Sequence, residues 1–282
     1  MAIINYAADK QLLVTARGHP YERDAFAALF DPLEDYAWSL VEQPAAQYLF
    51  TAELKERFDA CVCYDMPGVD FTAQDPPGLV EPSEAFKQGL LDLLEAGMGF
   101  VFMHHSIAAW PAWEEYAEIV GGRFHYRPAM LRGEEWPDSG YRHQVDHEVS
   151  VLAEHPVTDG IPDSFRITDE LYLCPIFEDS VIALLQSSYD FRDANFYSAK
   201  RAVEGELNSQ ENWSHPDGHK LVGWIKSYCN SPIVYLQGGD DPVAYSNEHL
   251  QRLVHNAVRW VSSEEARLWA RVRNQQQQAQ QQ

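Results

Sequence analysis

Basic residues are scarce in this chain. Only 21 lysines and arginines stand against 43 aspartates and glutamates, a formal charge of -22 over 282 residues. A phosphate-binding surface needs clustered Lys and Arg, so nucleic acid is not an expected partner. An anionic membrane surface is disfavoured for the same reason. A neutral sugar or a cation suits such a field, although acidity also serves simply to keep a protein soluble. No apolar run approaches the ~18 residues that a membrane-spanning helix needs. The start, MAIINYAADKQ, has no basic stretch leading into an apolar one, so no secretory leader is expected.

Cysteine is sparse: Cys61, Cys63, Cys174 and Cys229. Cys61 and Cys63 lie two apart in a strand-like run, which is not zinc-ribbon spacing. They read as buried free thiols in a reducing cytoplasm. Local catalytic signatures are missing as well: there is no HExxH, no paired CxxC and no P-loop. Ser106 lacks the flanking glycines of a nucleophile elbow, and where a thiol nucleophile would sit the strand runs into histidine. A metal or acid–base site built from histidines and carboxylates stays open.

The chain is 45% hydrophobic and 12% aromatic, enough for a large core. QLLVTA (11–16), YAWSLV (36–41), DACVCYDM (59–66) and the run from Gly97 to Met103 read as strands. Between them, ERDAFAALF, residues 45–58 and residues 83–95 carry helical spacing, the last opened by Ser83 as N-cap. A further helix is expected from Trp110 to Val120, closed by Gly121-Gly122. This alternation predicts an α/β, doubly wound, mostly parallel sheet with helices on both faces. Further on, HEVSVLAEH alternates, RITDELYL and SVIALLQSS read as strands, and LVGWIKSY pairs with SPIVYLQ. Phe191 to Gly218 reads as a polar surface excursion, and Asn247 caps a closing helix. Residues 1–262 form one domain. The remainder, 263–282, is expected to finish that helix and run into a disordered Gln-rich tail.

Ligands in open α/β sheets collect beyond the carboxyl ends of the strands. Those ends carry His19 and Tyr21, then Tyr64 and Asp65, then His104 and His105, then Asp169 and Glu170, and finally Gly239-Asp240-Asp241. Each has an ordinary structural reading: a histidine bonding a carbonyl, an aspartate closing a turn. As neighbours at a strand exit, His104 and His105 are expected to point apart, so that one of them faces the site. His143 and His147 lie four apart, but the surrounding sequence alternates like a strand, which argues against a helical metal pair.

Five stretches in order resemble the trehalose-utilisation, ThuA-like family: RGHPYERDAF, CYDMPG, GMGFVFMHHSIAAWPAWEEYAEIVGGRF, HPVTDGIPDSFRITDELY and IVYLQGGDDPVAYSNEHLQRLVHNAVRW. The resemblance runs from about Leu12 to Trp260. It implies a flavodoxin-like sheet of the class I glutamine amidotransferase type, with histidine where that superfamily keeps its catalytic cysteine, so amidotransferase activity is not expected. It also implies carbohydrate metabolism: the handling of a disaccharide or an oxidised (keto) sugar by His and carboxylate chemistry, with a divalent metal such as zinc left open. One departure stands out, because members commonly have Gly-His-Asp where this chain has Gly239-Asp240-Asp241.

On this basis His104, His105 and Glu170 are the expected catalytic or metal-binding groups. His19, Tyr21, Asp65, Trp110, Trp113 and Asp240 are the expected substrate contacts. The expected partner is a small carbohydrate, and homo-oligomerisation stays open. The alternative is a non-catalytic sugar- or metabolite-binding protein that keeps the fold without the chemistry.

Overall fold

The computed structural model describes residues 5–280. The first half alternates as the spacing predicts: β1 (Lys10–Ala16), α1 (Arg23–Ala27), β2 (Tyr36–Glu42) and β3 (Ala60–Cys63). A small hairpin follows, β4 (Val69–Asp70) with β5 (Gly78–Leu79), then α2 (Glu84–Glu95), β6 (Gly99–Met103) and α3 (Glu114–Val120). A second hairpin, β7 (Ala129–Leu131) with β8 (Glu134–Trp136), leads to the long strands β9 (Gly140–Val151) and β10 (Ser164–Leu173). The chain continues through β11 (Ile182–Ser187), β12 (Tyr197–Ser198), α4 (Ala199–Val203), β13 (Leu221–Tyr228) and β14 (Ser231–Leu236). It closes with α5 (Pro242–Tyr245), α6 (Glu248–Val261) and α7 (Glu264–Gln280).

One sheet has the order β10-β9-β11-β13-β14-β6-β3-β1-β2, with β12 paired to β9. From β14 to β2 all neighbours are parallel. Successive residues of these strands serve opposite faces. Leu12, Val14, Val101 and Met103 join the core under α1 and α6, whereas Leu13, Cys61, Phe100 and Phe102 join the core under α2 and α3. The fold is therefore α/β and doubly wound, as expected. In α2 the Ser83 hydroxyl accepts the Phe86 N–H, and the buried stripe is Phe86, Leu90, Leu93 and Leu94. Each such side chain contributes about 1.5–3 kcal/mol. Beyond β14, the strands β13, β11, β9 and β10 extend the sheet antiparallel, and this extension forms one wall of the site.

Four expectations change. Residues 45–58 form two short 3₁₀ turns, Ala45–Leu49 and Ala52–Glu56, separated by extended Thr51. The break lets α2 approach, because a Cβ on Gly89 would lie 1.9 Å from the Phe50 carbonyl oxygen. The helix expected from Trp110 starts only at Glu114, since Trp110 has φ +48° before Pro111 and donates its N–H to Pro67. The segment 191–218 is not merely a surface excursion: Phe191 and Phe196 are buried, β12 joins the sheet and α4 follows. Lastly, the Gln-rich tail is helical as far as Gln280, as a continuation of α7, which buries Ala266 and Ala270. Among the described residues no helix is long and apolar enough to cross a membrane.

Candidate functional site

The site lies past β6, where the chain leaves the core. His104 has φ +44° and opens a 3₁₀ turn, His104–Ala108. This left-handed step ends the strand alternation, so His104 and His105 do not diverge as their spacing predicts. Both rings are buried, their centroids 4.3 Å apart. The Nδ1–H of His104 donates to the Gln237 carbonyl at 2.5 Å, which turns Nε2 toward the carboxylates.

Glu170 arrives on a β-bulge. Asp169 pairs with Val145 and Leu171 with Arg142, so His143 and Gln144 on β9 oppose Glu170 alone, with Gln144 at φ +55°. Two successive acidic residues are buried as a result, each with its own task. Asp169 accepts backbone N–H groups from Gly239 (2.7 Å), Asp240 (3.1 Å) and Glu170 (2.8 Å). Glu170 lies between two imidazoles, with His104 Nε2 3.1 Å from Oε2 and His143 Nδ1 3.1 Å from Oε1. Asp240, set by the loop that Asp169 holds, comes within 3.6 Å of His104 Nε2 and 3.5 Å of His143 Nδ1. The Tyr172 hydroxyl lies 2.8 Å from His104 Nε2 and 3.2 Å from His105 Nδ1.

These neighbours separate the histidines electrostatically. Burial disfavours charge on His104, but the hydrogen bonds of Asp240 and Glu170 outweigh it and hold its pKa well above the usual value. His105 has the same burial without a carboxylate partner, and with His104 and His19 nearby its pKa falls well below. Hydrogen bonding to Asp240 raises His143 despite partial burial. Burial would raise the Asp240 carboxyl, yet His104 and His143 hold it far below the usual carboxylate range. Burial lifts Asp169 to about 6, its backbone donors only partly offsetting the loss of water.

His19 joins from the β1–α1 loop. Gly18 has φ +110°, and a Cβ there would lie 2.3 Å from the Met66 carbonyl oxygen, so only glycine lets this loop close over the end of β3. The His19 ring then lies 4.1 Å from that of His105. The structure thus brings together His19, His104, His105, Glu170 and Asp240. Asp240 stands inside the cluster, on the loop after β14.

Other expected contacts lie elsewhere. Asp65 is buried and occupied, accepting from Thr15 Oγ1 at 2.6 Å and Gln43 Nε2 at 2.5 Å, and so ties β3 to its neighbours. Tyr21 donates to Glu42 at 2.8 Å and packs on Phe26 and Tyr64, bracing the wall behind the site. Trp110 and Trp113 are buried against Phe86, with ring distances of 5.1 and 6.5 Å, so neither offers a ring face to a ligand. Sequence spacing missed His143, because only the bulge turns it toward Glu170. It also gave no role to Tyr172, although this residue closes the DELY stretch itself. His147 bonds Ser187 at 2.8 Å and takes no part.

A cavity of about 370 Å³ opens beside the cluster, reached by His19, His143 and Glu170 and walled by Tyr172, Phe124 and Tyr141. Glu170 touches both cavity and cluster, while His104 stands fully buried behind it. The donor atoms of His104, His105, Glu170 and Asp240 all lie within 4.8 Å of one another. The Nε2 of His105 is buried without a hydrogen-bond partner. Two imidazoles, one of them with its Nε2 orphaned, and two carboxylates fit a divalent cation such as zinc.

Comparison with known proteins shows the family and the fold. A family model described as trehalose utilisation matches residues 12–261. Among solved structures, a ThuA-like protein of Bacteroides uniformis is 19% identical with a TM-score of 0.62, over 93% of this chain and 95% of that one. A ThuA-like protein of Parabacteroides merdae is 15% identical with a TM-score of 0.60, over 91% and 90%. A cytoplasmic protein of Salmonella typhimurium LT2 is 10% identical with a TM-score of 0.53, over 90% and 100%. These likenesses establish the fold. No curated protein matches the chain.

Proposed function

The chain belongs to the ThuA, or trehalose-utilisation, family, and from that membership and the histidine–carboxylate cluster we propose that it processes a glycoside or keto-sugar in the cavity beside Glu170. One observation carries the reading: Glu170 lies 3.1 Å from a buried imidazole on one side and 3.1 Å from a cavity-facing imidazole on the other. A carboxylate so placed takes a proton from a sugar hydroxyl, or returns one to a leaving oxygen, while His143 exchanges it with the cavity. His104, fixed through its Nδ1–H by the Gln237 carbonyl, positions Glu170 from behind. Where a cation is bound, His104, His105, Glu170 and Asp240 would hold it, and it would supply polarisation of a carbonyl or hydroxyl oxygen. The residue after β6 is His104, where an amidotransferase needs its thiol nucleophile, so glutamine hydrolysis is not part of this reading. The four cysteines are unpaired, which supports a reducing compartment as the place of action.

The test is product analysis on a panel of glycosides and keto-sugars, with wild type, Glu170→Gln and His143→Gln. Turnover that falls by about 10²-fold or more in Glu170→Gln is expected for lost proton transfer. Turnover retained in Glu170→Gln contradicts the assignment. Sugar affinity without turnover in wild type would support a binding protein instead.

A further inference from the structure

The cavity beside Glu170 has two unlike halves. Imidazole and carboxylate side chains line only its inner end: His19, His143 and Glu170. Outward from the cluster runs an aromatic ladder. His104 lies 4.8 Å from Tyr172, Tyr172 4.8 Å from Phe124, Phe124 5.1 Å from Tyr126, and Tyr126 5.5 Å from Phe71 (ring centroids). Helix α4 and the turn after it supply the rest of the wall, with Ala199, Ala202, Val203 and Leu207. At the lip, Leu207 is 73% exposed and Phe71 40% exposed, large apolar side chains held in water beside an opening.

The hydroxyls of this wall are largely engaged. Tyr172 bonds His104 and His105, Tyr126 donates to Met66 Sδ at 3.5 Å, and Tyr141 accepts the Asn208 N–H at 3.0 Å. Only the Tyr141 O–H keeps a proton to donate, so a second sugar ring placed here would be stripped of water with most of its hydroxyls unpaired, which weakens binding. An apolar group gains from the same surface. The volume, about 370 Å³, suits one ring at the cluster and a group of similar size beyond it.

We propose that the outer half of this cavity is an aglycone subsite, which takes an apolar alkyl or aryl group joined to the sugar in place of a second sugar ring. The proposal rests on the reading of the inner half as the sugar site. The phenyl or cyclohexyl ring of a glycoside packs between Phe71 and the Val203–Leu207 side, while its sugar faces His19, His143 and Glu170.

Calorimetric titration with ligands sharing one sugar tests this: the free sugar, its phenyl and cyclohexyl glycosides, and a disaccharide. The apolar glycosides should bind at least tenfold more tightly than the disaccharide. The exposed-lip variants Leu207→Asn and Phe71→Ser should each shrink that preference several-fold and leave affinity for the free sugar unchanged. A disaccharide that binds as tightly as the phenyl glycoside overturns the subsite and leaves the sugar site standing. A preference untouched by both lip variants also overturns it. If none of the four ligands binds, the sugar site falls, and the subsite falls with it.

Discussion

The carboxylate of Asp169 accepts the backbone N–H of Gly239 at 2.7 Å, and so strand β10 dictates where the loop after β14 sits. Gly239 has φ +122°, a conformation suited to glycine, and the next residue, Asp240, also donates its N–H to Asp169. The loop therefore presents Asp240 to His104 and His143 at a position set from across the sheet.

Removing that anchor should be costly. Asp169→Ala loses three backbone hydrogen bonds to a buried carboxylate and leaves their donors unpaired. A loss of about 3 kcal/mol in urea denaturation is expected. Unchanged stability would mean that the loop holds itself.

Acid sensitivity follows from histidines outside the site. Burial and nearby Arg123 and His215 push His125 down to about 4, and burial does the same to His147. The unfolded chain takes up a proton on each near 6.5, whereas the folded chain does so only near 4. The unfolded state thus binds more protons in that window, and stability drops as the pH falls from 6.5 to 4. Each residue contributes up to about 3 kcal/mol to that drop. His147→Asn, which keeps a partner for Ser187, should flatten this limb in denaturation curves taken across pH. An identical limb in the variant would remove His147 from the account.

The strand-end rule reads much of this site from sequence. His19, His104, His105 and Asp240 follow recognisable strands, and they converge with Glu170, which lies within β10 at its bulge and not beyond its end. Periodicity fails where backbone irregularity decides direction. The left-handed step at His104 turns both histidines to one side, and the bulge opposite Glu170 recruits His143. Neither leaves a mark on hydrophobic spacing. The aromatic expectation failed differently: Trp110 and Trp113 look like free stacking residues, but the neighbouring turn packs them on Phe86. Of the rings that do line the cavity, Tyr141 and Tyr172 lie on β9 and β10, whereas Phe71, Phe124 and Tyr126 come from stretches with no clear period. The short 3₁₀ turns at 45–56 keep a helical pattern of apolar residues while Thr51 stays extended, so their break was equally hidden.

The helical tail should matter only near its start. Ala266 and Ala270 are buried and Asn274 donates to Asn230 at 3.0 Å. Truncation after Asn274 should change unfolding free energy by less than about 0.5 kcal/mol, as for surface changes. Truncation after Ser263 should cost about 2 kcal/mol or more, because it uncovers packed side chains. Equal effects would show that the glutamines carry stability of their own.

The donor set predicts metal content. Elemental analysis of purified protein should find near-stoichiometric divalent metal in wild type, and at least tenfold weaker retention in His105→Ala and Asp240→Ala. Retention unchanged in both variants would place any metal elsewhere.

The contact that matters most is that of a sugar with Glu170 and His143. Saturation-transfer NMR with a glycoside and a keto-sugar, on wild type and on Glu170→Gln and His143→Gln, measures this contact without requiring turnover. Transfer to the sugar-ring protons is expected in wild type, with a marked loss of it in both variants. Equal transfer in all three proteins, or none to any sugar, would contradict it.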